Sequence, residues 1–279
     1  MSRISHTFKN APVLLLALGA AGVTAAAALG TSLDPHLSWM SRAPMPTASA
    51  GLASVIDDGQ IYAIGGSNTA GDALAAVQSY SPSTGRWRRE APLPVGASMI
   101  TAAARAGRIY AVGGLNQAGH ALASLEIYDP STNRWTRGAP MPTPRGLAQA
   151  TWSGGRMYVI ASLDAQGNRL GAVEAYDPRT NTWQTRAPIP IPRAHPAVGT
   201  LSDGQIIVAG GGLKTHAPLA DVELYTPATN TWQQLTPILR PSAGGPTGEV
   251  VDGDEFYVIG GFTGTSLDAS TFVESTTVG

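Results

Sequence analysis

Cysteine is absent from the 279-residue chain, which removes disulfides, thiolate nucleophiles, Cys-ligated zinc and iron–sulfur clusters from consideration. Charge is scarce too: Asp, Glu, Lys and Arg make up 13% of the residues and the formal net charge is -1. Without a long basic stretch, a nucleic-acid footprint is not supported. Lysine is nearly missing. Lys9 and Lys214 are the only two, and the remaining basic residues are arginine. Codon bias accounts for this more simply than a set of guanidinium forks for anions. The chain has no Asn-x-Ser/Thr acceptor, no H-E-x-x-H, no G-x-S-x-G and no phosphate-binding G-x-x-x-x-G-K-[ST]. No histidine pair has helical metal-ligand spacing, so neither a metal nor a cofactor is expected. Glycine (33) and proline (21) are plentiful beside a hydrophobic fraction of 43%. That balance suits a large core built from short strands and tight turns.

The N-terminus has the form of an export signal. Arg3 and Lys9 precede an uncharged run from Ala11 to Gly30, centred on Leu14-Leu15-Leu16 and ending in small residues that offer A-x-A cleavage points. Residues 1–30 are therefore read as a signal peptide, with an uncleaved anchor over 11–30 as the alternative. In both cases the basic flank stays in the cytoplasm and the rest crosses, to a periplasmic or extracellular location. Residues 31–37 form a short linker, and the folded domain spans 38–279.

Self-similarity dominates the rest. Trp39, Trp87, Trp135, Trp183 and Trp232 recur at intervals of 48 or 49 residues. Tyr80, Tyr128, Tyr176 and Tyr225 each stand seven residues before a Trp, in segments reading YSPSTGRW, YDPSTNRW, YDPRTNTW and YTPATNTW. A glycine pair recurs in phase at Gly65-Gly66, Gly113-Gly114, Gly210-Gly211 and Gly260-Gly261, with Ala161-Ser162 in its place in the third repeat. Each repeat holds four short strands, a to d. Strand a is small and apolar. Strand b, such as Gln60–Ile64, is a continuous apolar run that reads as buried on both faces. Strand c ends at the Tyr and strand d carries the Trp. The Asn or Gly between c and d tolerates positive φ. A thin four-stranded sheet cannot bury both faces alone, whereas sheets stacked around an axis bury them against each other.

These residues resemble the kelch-repeat β-propeller family, in which a strand ending in Gly-Gly is followed by Tyr and then Trp at about fifty residues per repeat. The resemblance covers roughly residues 38 to 279. It implies an all-β propeller, here with five blades of four antiparallel strands. The last repeat lacks a Trp strand and the first Trp lacks a preceding repeat. The segment Leu37–Met40 is therefore expected to pair with Phe272–Thr276 and close the ring, removing an open edge. Small residues at Ala53, Ser54, Ala102, Ala103, Ala148, Ala150, Ala197 and Gly199 suit strands crowded at a narrow axis.

The b–c and d–a connections are long, differ between repeats and share one face, the usual place for binding on a rigid scaffold. The resemblance agrees, since kelch propellers bind partners through such loops. The b–c candidates are Asn116, His120, Arg169 and His216. The d–a candidates are Arg145, Arg193, His195 and Arg240. Arg145 and Arg193 sit in matching Pro-Arg sequences, where they either present forks to a carboxylate or acidic sugar or hydrogen-bond loop carbonyls. His195 is either a satisfied structural histidine or a ligand group. Trp152, outside the register, either stacks on a sugar or fills the axis.

Copper oxidases of similar architecture need a Tyr–Cys cross-link, which this chain cannot form. Plant specifier proteins use Glu-x-x-x-Asp-x-x-x-His, which is absent. A bacterial relative isomerises sialic acid anomers with acid–base groups in an Arg-rich pocket, for which His195, Arg193 and Arg145 form the matching set. The expectation is an exported, monomeric binding scaffold for a protein or glycan, without nucleic acid. Membrane contact would come only through an uncleaved N-terminal segment. The alternative is a carbohydrate mutarotase or epimerase.

Overall fold

A computed structural model describes residues 40–164, 166–212, 217–241, 248–252, 254–260 and 273–277. The chain divides into two compact units, 1–41 and 42–279, and every strand among the described residues belongs to the second. The strands form five antiparallel sheets, each laid down in sequence order. Blade 1 comprises β1 (Ala53–Asp57), β2 (Gln60–Ile64), β3 (Val77–Ser81) and β4 (Arg86–Arg89). Blade 2 comprises β5 (Thr101–Arg105), β6 (Arg108–Val112), β7 (Leu125–Asp129) and β8 (Arg134–Arg137). Blade 3 comprises β9 (Gln149–Ser153), β10 (Arg156–Leu163), β11 (Arg169–Asp177) and β12 (Thr182–Thr185). Blade 4 comprises β13 (Ala197–Thr200), β14 (Ile206–Ala209), β15 (Val222–Thr226) and β16 (Thr231–Leu235). Blade 5 comprises β17 (Gly248–Asp252), β18 (Glu255–Ile259) and β19 (Val273–Thr277).

Four blades thus have the four strands read from the sequence, and the described residues give the fifth three. The fourth strand was expected around Trp39 against Phe272–Thr276. Trp39 and Phe272 lie outside the described residues, as does Gly261 of the last glycine pair. The first strands β1, β5, β9, β13 and β17 pack side by side in that order, so strand a of each blade is innermost. Their small residues permit this. A methyl placed on Gly199 would lie 2.4 Å from Val251 Cγ2 and 2.9 Å from the Phe256 ring.

Strand b is buried on both faces, as its unbroken apolar run requires: Ile61 to Ile64, Ile109 to Val112 and Ile206 to Ala209 are all buried. The tyrosines of strand c are buried as well, and each lies against the Trp of its own strand d with ring centroids 4.9–5.1 Å apart. Tyrosines of strand b reach the next blade, pairing Tyr62 with Tyr128, Tyr110 with Tyr176 and Tyr158 with Tyr225. Aromatic pairs of this kind add to the apolar area that glues one sheet to the next.

Polar stitches reinforce that glue. The indole N–H of Trp87, Trp135, Trp183 and Trp232 donates to the carbonyl of Ala43, Ala91, Ala139 and Ala187 respectively, in the chain leading into the Trp's own repeat. Asn133, Asn181 and Asn230 hold φ of 54–57° at the c–d turn, as expected. Each does more: its side-chain oxygen accepts both the hydroxyl of Tyr128, Tyr176 or Tyr225 and the amide of Ala91, Ala139 or Ala187.

The glycine pairs run against the next connection. Gly66 N donates to Ala97 O and Gly114 N to Arg145 O, and a methyl on Gly113 would sit 2.4 Å from that Arg145 oxygen. Blade 3 keeps the bond with Ser162 N donating to Arg193 O, while Ala161 takes φ 58° in a bulge between Ile160 and Ser162. The shift makes room for the extra methyl. It also lets β10 and β11 run on as a longer hairpin than those of the other blades.

Candidate functional site

The d–a connection delivers each chain to the top of strand a through a residue in the left-handed region. Gly51 (φ 62°), Met99 (φ 50°), Leu147 (φ 59°) and His195 (φ 51°) occupy equivalent places 48 residues apart. Backbone hydrogen bonds link them from blade to blade: Met99 N to Gly51 O at 2.8 Å, Leu147 N to Met99 O at 3.0 Å and His195 N to Leu147 O at 3.2 Å. This collar lies where the innermost strands begin, at the end of the d–a connections. Glycine accepts such a φ without strain, but a residue with a Cβ is held there at a cost of about 1–2 kcal/mol. Three half-buried side chains are nevertheless maintained there, and Met99 Sδ reaches over Gly51.

Arg169, at the start of β11, stands behind the collar. Its Nε donates to Gly212 O at 3.0 Å and its Nη1 to Gly167 O at 3.3 Å, so the side chain bridges from blade 3 to blade 4. Burial, and then the Arg169 charge, push the His195 imidazole down to about 4, leaving it neutral at physiological pH. Of the residues singled out from the sequence, the fold brings Arg169 and His195 together from different blades.

The b–c loops around the collar are closed by one device. Asn68 Oδ1 accepts the amides of Ala70 and Asp72, Asn116 Oδ1 those of Ala118 and His120, and Asp164 Oδ1 those of Gln166 and Asn168. Asn116 therefore serves its own loop, while His120 is exposed at the tip. Gln117 ties the first two loops together, accepting from Ala73 N at 2.6 Å and donating to Asp72 at 3.0 Å.

Arg145 and Arg193 do not face the ligand side. Both are fully buried. Arg193 donates Nη2 to Glu223 Oε1 at 2.5 Å, Nη1 to the carbonyls of Gly210 and Asp221, and Nε to Ile191 O. Arg145 donates Nη2 to Glu174 Oε2 at 2.8 Å and to Val159 O. Burial lowers its guanidinium to about 10, against the pull of Glu174, so it remains charged at neutral pH. Both arginines are thus committed to interior carboxylates and carbonyls, which corrects the picture of neighbouring forks open to an anion. The set of His195, Arg193 and Arg145 is not assembled at a surface. Arg240 is exposed beyond β16, and His216 lies outside the described residues. Trp152 sits far from the long loops, near the β9–β10 turn, with Tyr110 edge-on at 4.9 Å and the Arg105 guanidinium 5.3 Å from its ring. No group of three or more metal-ligating side chains converges among the described residues.

Sequence reasoning missed Met99 and Leu147. Their signal was the 48-residue spacing from Gly51, which is easily passed over because the four residue types differ.

The nested sheets, inner a strands and Trp-bearing outer strands define a propeller of the kelch type. The family model described as the KLHDC2/KLHL20/DRC7 Kelch-repeats domain matches residues 51–261, and the chain belongs to the kelch-repeat family. No curated protein matches it significantly. Among solved structures, one titled "Structure of YjhT" superposes with a TM-score of 0.75 at 20% identity, covering 86% of this chain and 85% of that one. At that identity the likeness speaks for the fold alone.

Proposed function

We propose that this protein is an exported kelch-repeat binding scaffold that takes a protein or carbohydrate partner at the axis mouth. The contact surface would be Met99, Leu147 and His195 within the ring of b–c loops. The observation that carries this reading is the collar itself. Side chains are held in a strained backbone region where the first repeat uses glycine, and strain of this kind collects at binding sites. The loops around it are pre-ordered by their Asx turns, which lowers the entropy lost on binding. Export is inferred from the charge-free run 11–30. Completion of blade 5 by the Trp39 strand is supported by Ala43, four residues after Trp39, which meets Trp87 as Ala91 meets Trp135.

The test is a protein and glycan array probed with the exported chain, followed by His195→Ala, Met99→Gly and loop substitutions at Gln117 and His120. A partner lost on changing the collar and loops supports the reading. A partner indifferent to all of them would place binding elsewhere.

A further inference from the structure

The outermost strands divide by charge. Strand d lies at the free end of each four-stranded sheet, with no strand on its outer side among the described residues. In blades 1 and 2 these edges read Arg86-Trp87-Arg88-Arg89 and Arg134-Trp135-Thr136-Arg137, with every arginine exposed. In blades 3 and 4 they read Thr182-Trp183-Gln184-Thr185 and Thr231-Trp232-Gln233-Gln234-Leu235, without a charge. Charged edges deter unwanted strand pairing. Yet β12 and β16 do without that protection on the same scaffold, so guarding an edge does not account for five arginines on two neighbouring ones.

The local acids pair with two of the five. Arg137 reaches the buried Glu126 at 3.2 Å and Arg88 is 4.0 Å from Glu90. Arg86, Arg89 and Arg134 have no ion pair or hydrogen bond among the described residues. Grooves flank the outer hairpin of blade 2. One carries Arg88 and Glu90 beside Ser79 and Ser81, and the other carries Arg108, Arg134 and Asp129 beside Thr136 and Ile127. The first offers one guanidinium and the second two, each with hydroxyls and one carboxylate, beside the outer strands of blades 1 and 2.

We infer that the rim of blades 1 and 2 is a second docking surface, which takes an acidic extended segment of a partner protein as an added strand on β4. The open edges supply main-chain hydrogen bonds and the arginines supply the sign of charge, the combination used in strand addition. A diffuse polyanion would use the charge but not the edge.

The test measures binding of a synthetic peptide of alternating Glu and Thr to the whole chain. A Lys–Thr peptide, the same Glu–Thr peptide N-methylated at alternate residues, a sulfated polysaccharide and anionic phospholipid vesicles serve as comparisons. The Glu–Thr peptide is expected to bind, weakening with added salt, and to lose about tenfold or more in affinity when Arg86, Arg88 and Arg89 are changed together to Gln. N-methylation is expected to abolish binding, and His195→Ala to leave it unchanged, which separates this surface from the axis mouth. Because the substituted arginines are exposed, an unchanged melting temperature verifies the fold. Peptide binding indifferent to the three substitutions, or retained after N-methylation, would overturn the assignment. So would polysaccharide or vesicles binding as tightly through the same arginines.

Discussion

In blade 4 the polar seam behind strand c is ionic: Arg193 reaches Glu223, and on the way its Nη1 and Nε satisfy the carbonyls of Gly210 and Ile191. In blade 1 the equivalent places hold Ser49 and Gln78. Ser49 Oγ donates to Gly65 O, and the Gln78 amide exchanges two hydrogen bonds with the Thr47 backbone. The acceptors served are the same, Gly65 for Gly210 and Thr47 for Ile191. Blade 2 takes a third course. Ala97 stands where the arginine would be, and Glu126 turns to Arg137 on its own strand d. Blades 1 and 4 thus meet the same backbone demand with different matched sets of side chains. A buried carboxylate appears with a guanidinium, and an amide with a hydroxyl.

The strongest way to break that comparison is to mix the sets. Arg193→Ser leaves Glu223 buried without its cation, and we expect a loss of about 3–5 kcal/mol. Adding Glu223→Gln converts the seam to the blade 1 solution and should recover most of the loss, as read by urea denaturation. A double variant no more stable than the single one would show that the sets are not interchangeable. The collar gives a second contrast, Gly51 against His195. The His195 imidazole titrates near 4 when folded and near 6.5 when unfolded. The unfolded chain therefore takes up the proton first. Stability contributed by the neutral imidazole is present above pH 6.5 and is lost as pH falls toward 4, by about 3 kcal/mol at most. His195→Gly, the blade 1 residue, should flatten this acid limb in melting curves taken from pH 7 to pH 4. An acid limb of unchanged slope would assign it to other groups.

Much of this architecture was legible in the sequence because its carriers are large, rare and in phase. Trp, Tyr and the glycine pair recur with the period of the blade and each does one geometric job, so the repeat announces the fold. The destination of Arg145 and Arg193 was not legible in the same way. A Pro-Arg pair in a variable connection looks exposed, and the partner that draws it inward lies 29 or 30 residues away on strand c. The clue was covariation within the chain itself. Glu174 and Glu223 stand two residues before their tyrosines where blade 1, without the arginine, has Gln78; blade 2, also without it, keeps Glu126 but supplies Arg137 from its own strand d. The collar was hidden for another reason: its common property is a backbone angle, which four unlike residues can share. The turn asparagines were half read. Their positive φ follows from the residue type, but the tyrosine hydroxyl and the alanine amide they serve become neighbours only once the blades are stacked.

That turn supplies the finest contrast between the two blades. Asn230 accepts from Tyr225 and from Ala187, and replacing it by the blade 1 residue, Asn230→Gly, orphans both donors at an expected cost of about 1–3 kcal/mol. Gly85 is the natural counterpart of that variant, and its consequence is visible: Tyr80 Oη is buried with no partner. The site has room for the missing group. A Cβ built on Gly85 meets nothing nearer than Tyr80 Oη at 3.9 Å, and φ at Gly85 is 69°, within reach of asparagine. Gly85→Asn should therefore present its oxygen to Tyr80, and to the amide of Ala43 as Asn133 does to Ala91. Two new hydrogen bonds, offset by the left-handed strain that glycine avoids, leave a gain of about 1 kcal/mol. In a domain of this size that raises the melting temperature by about 2–4 °C. A lower melting temperature would mean that blade 1 departs from its siblings at the turn in some way beyond the missing side chain, and the equivalence of the blades would stop there.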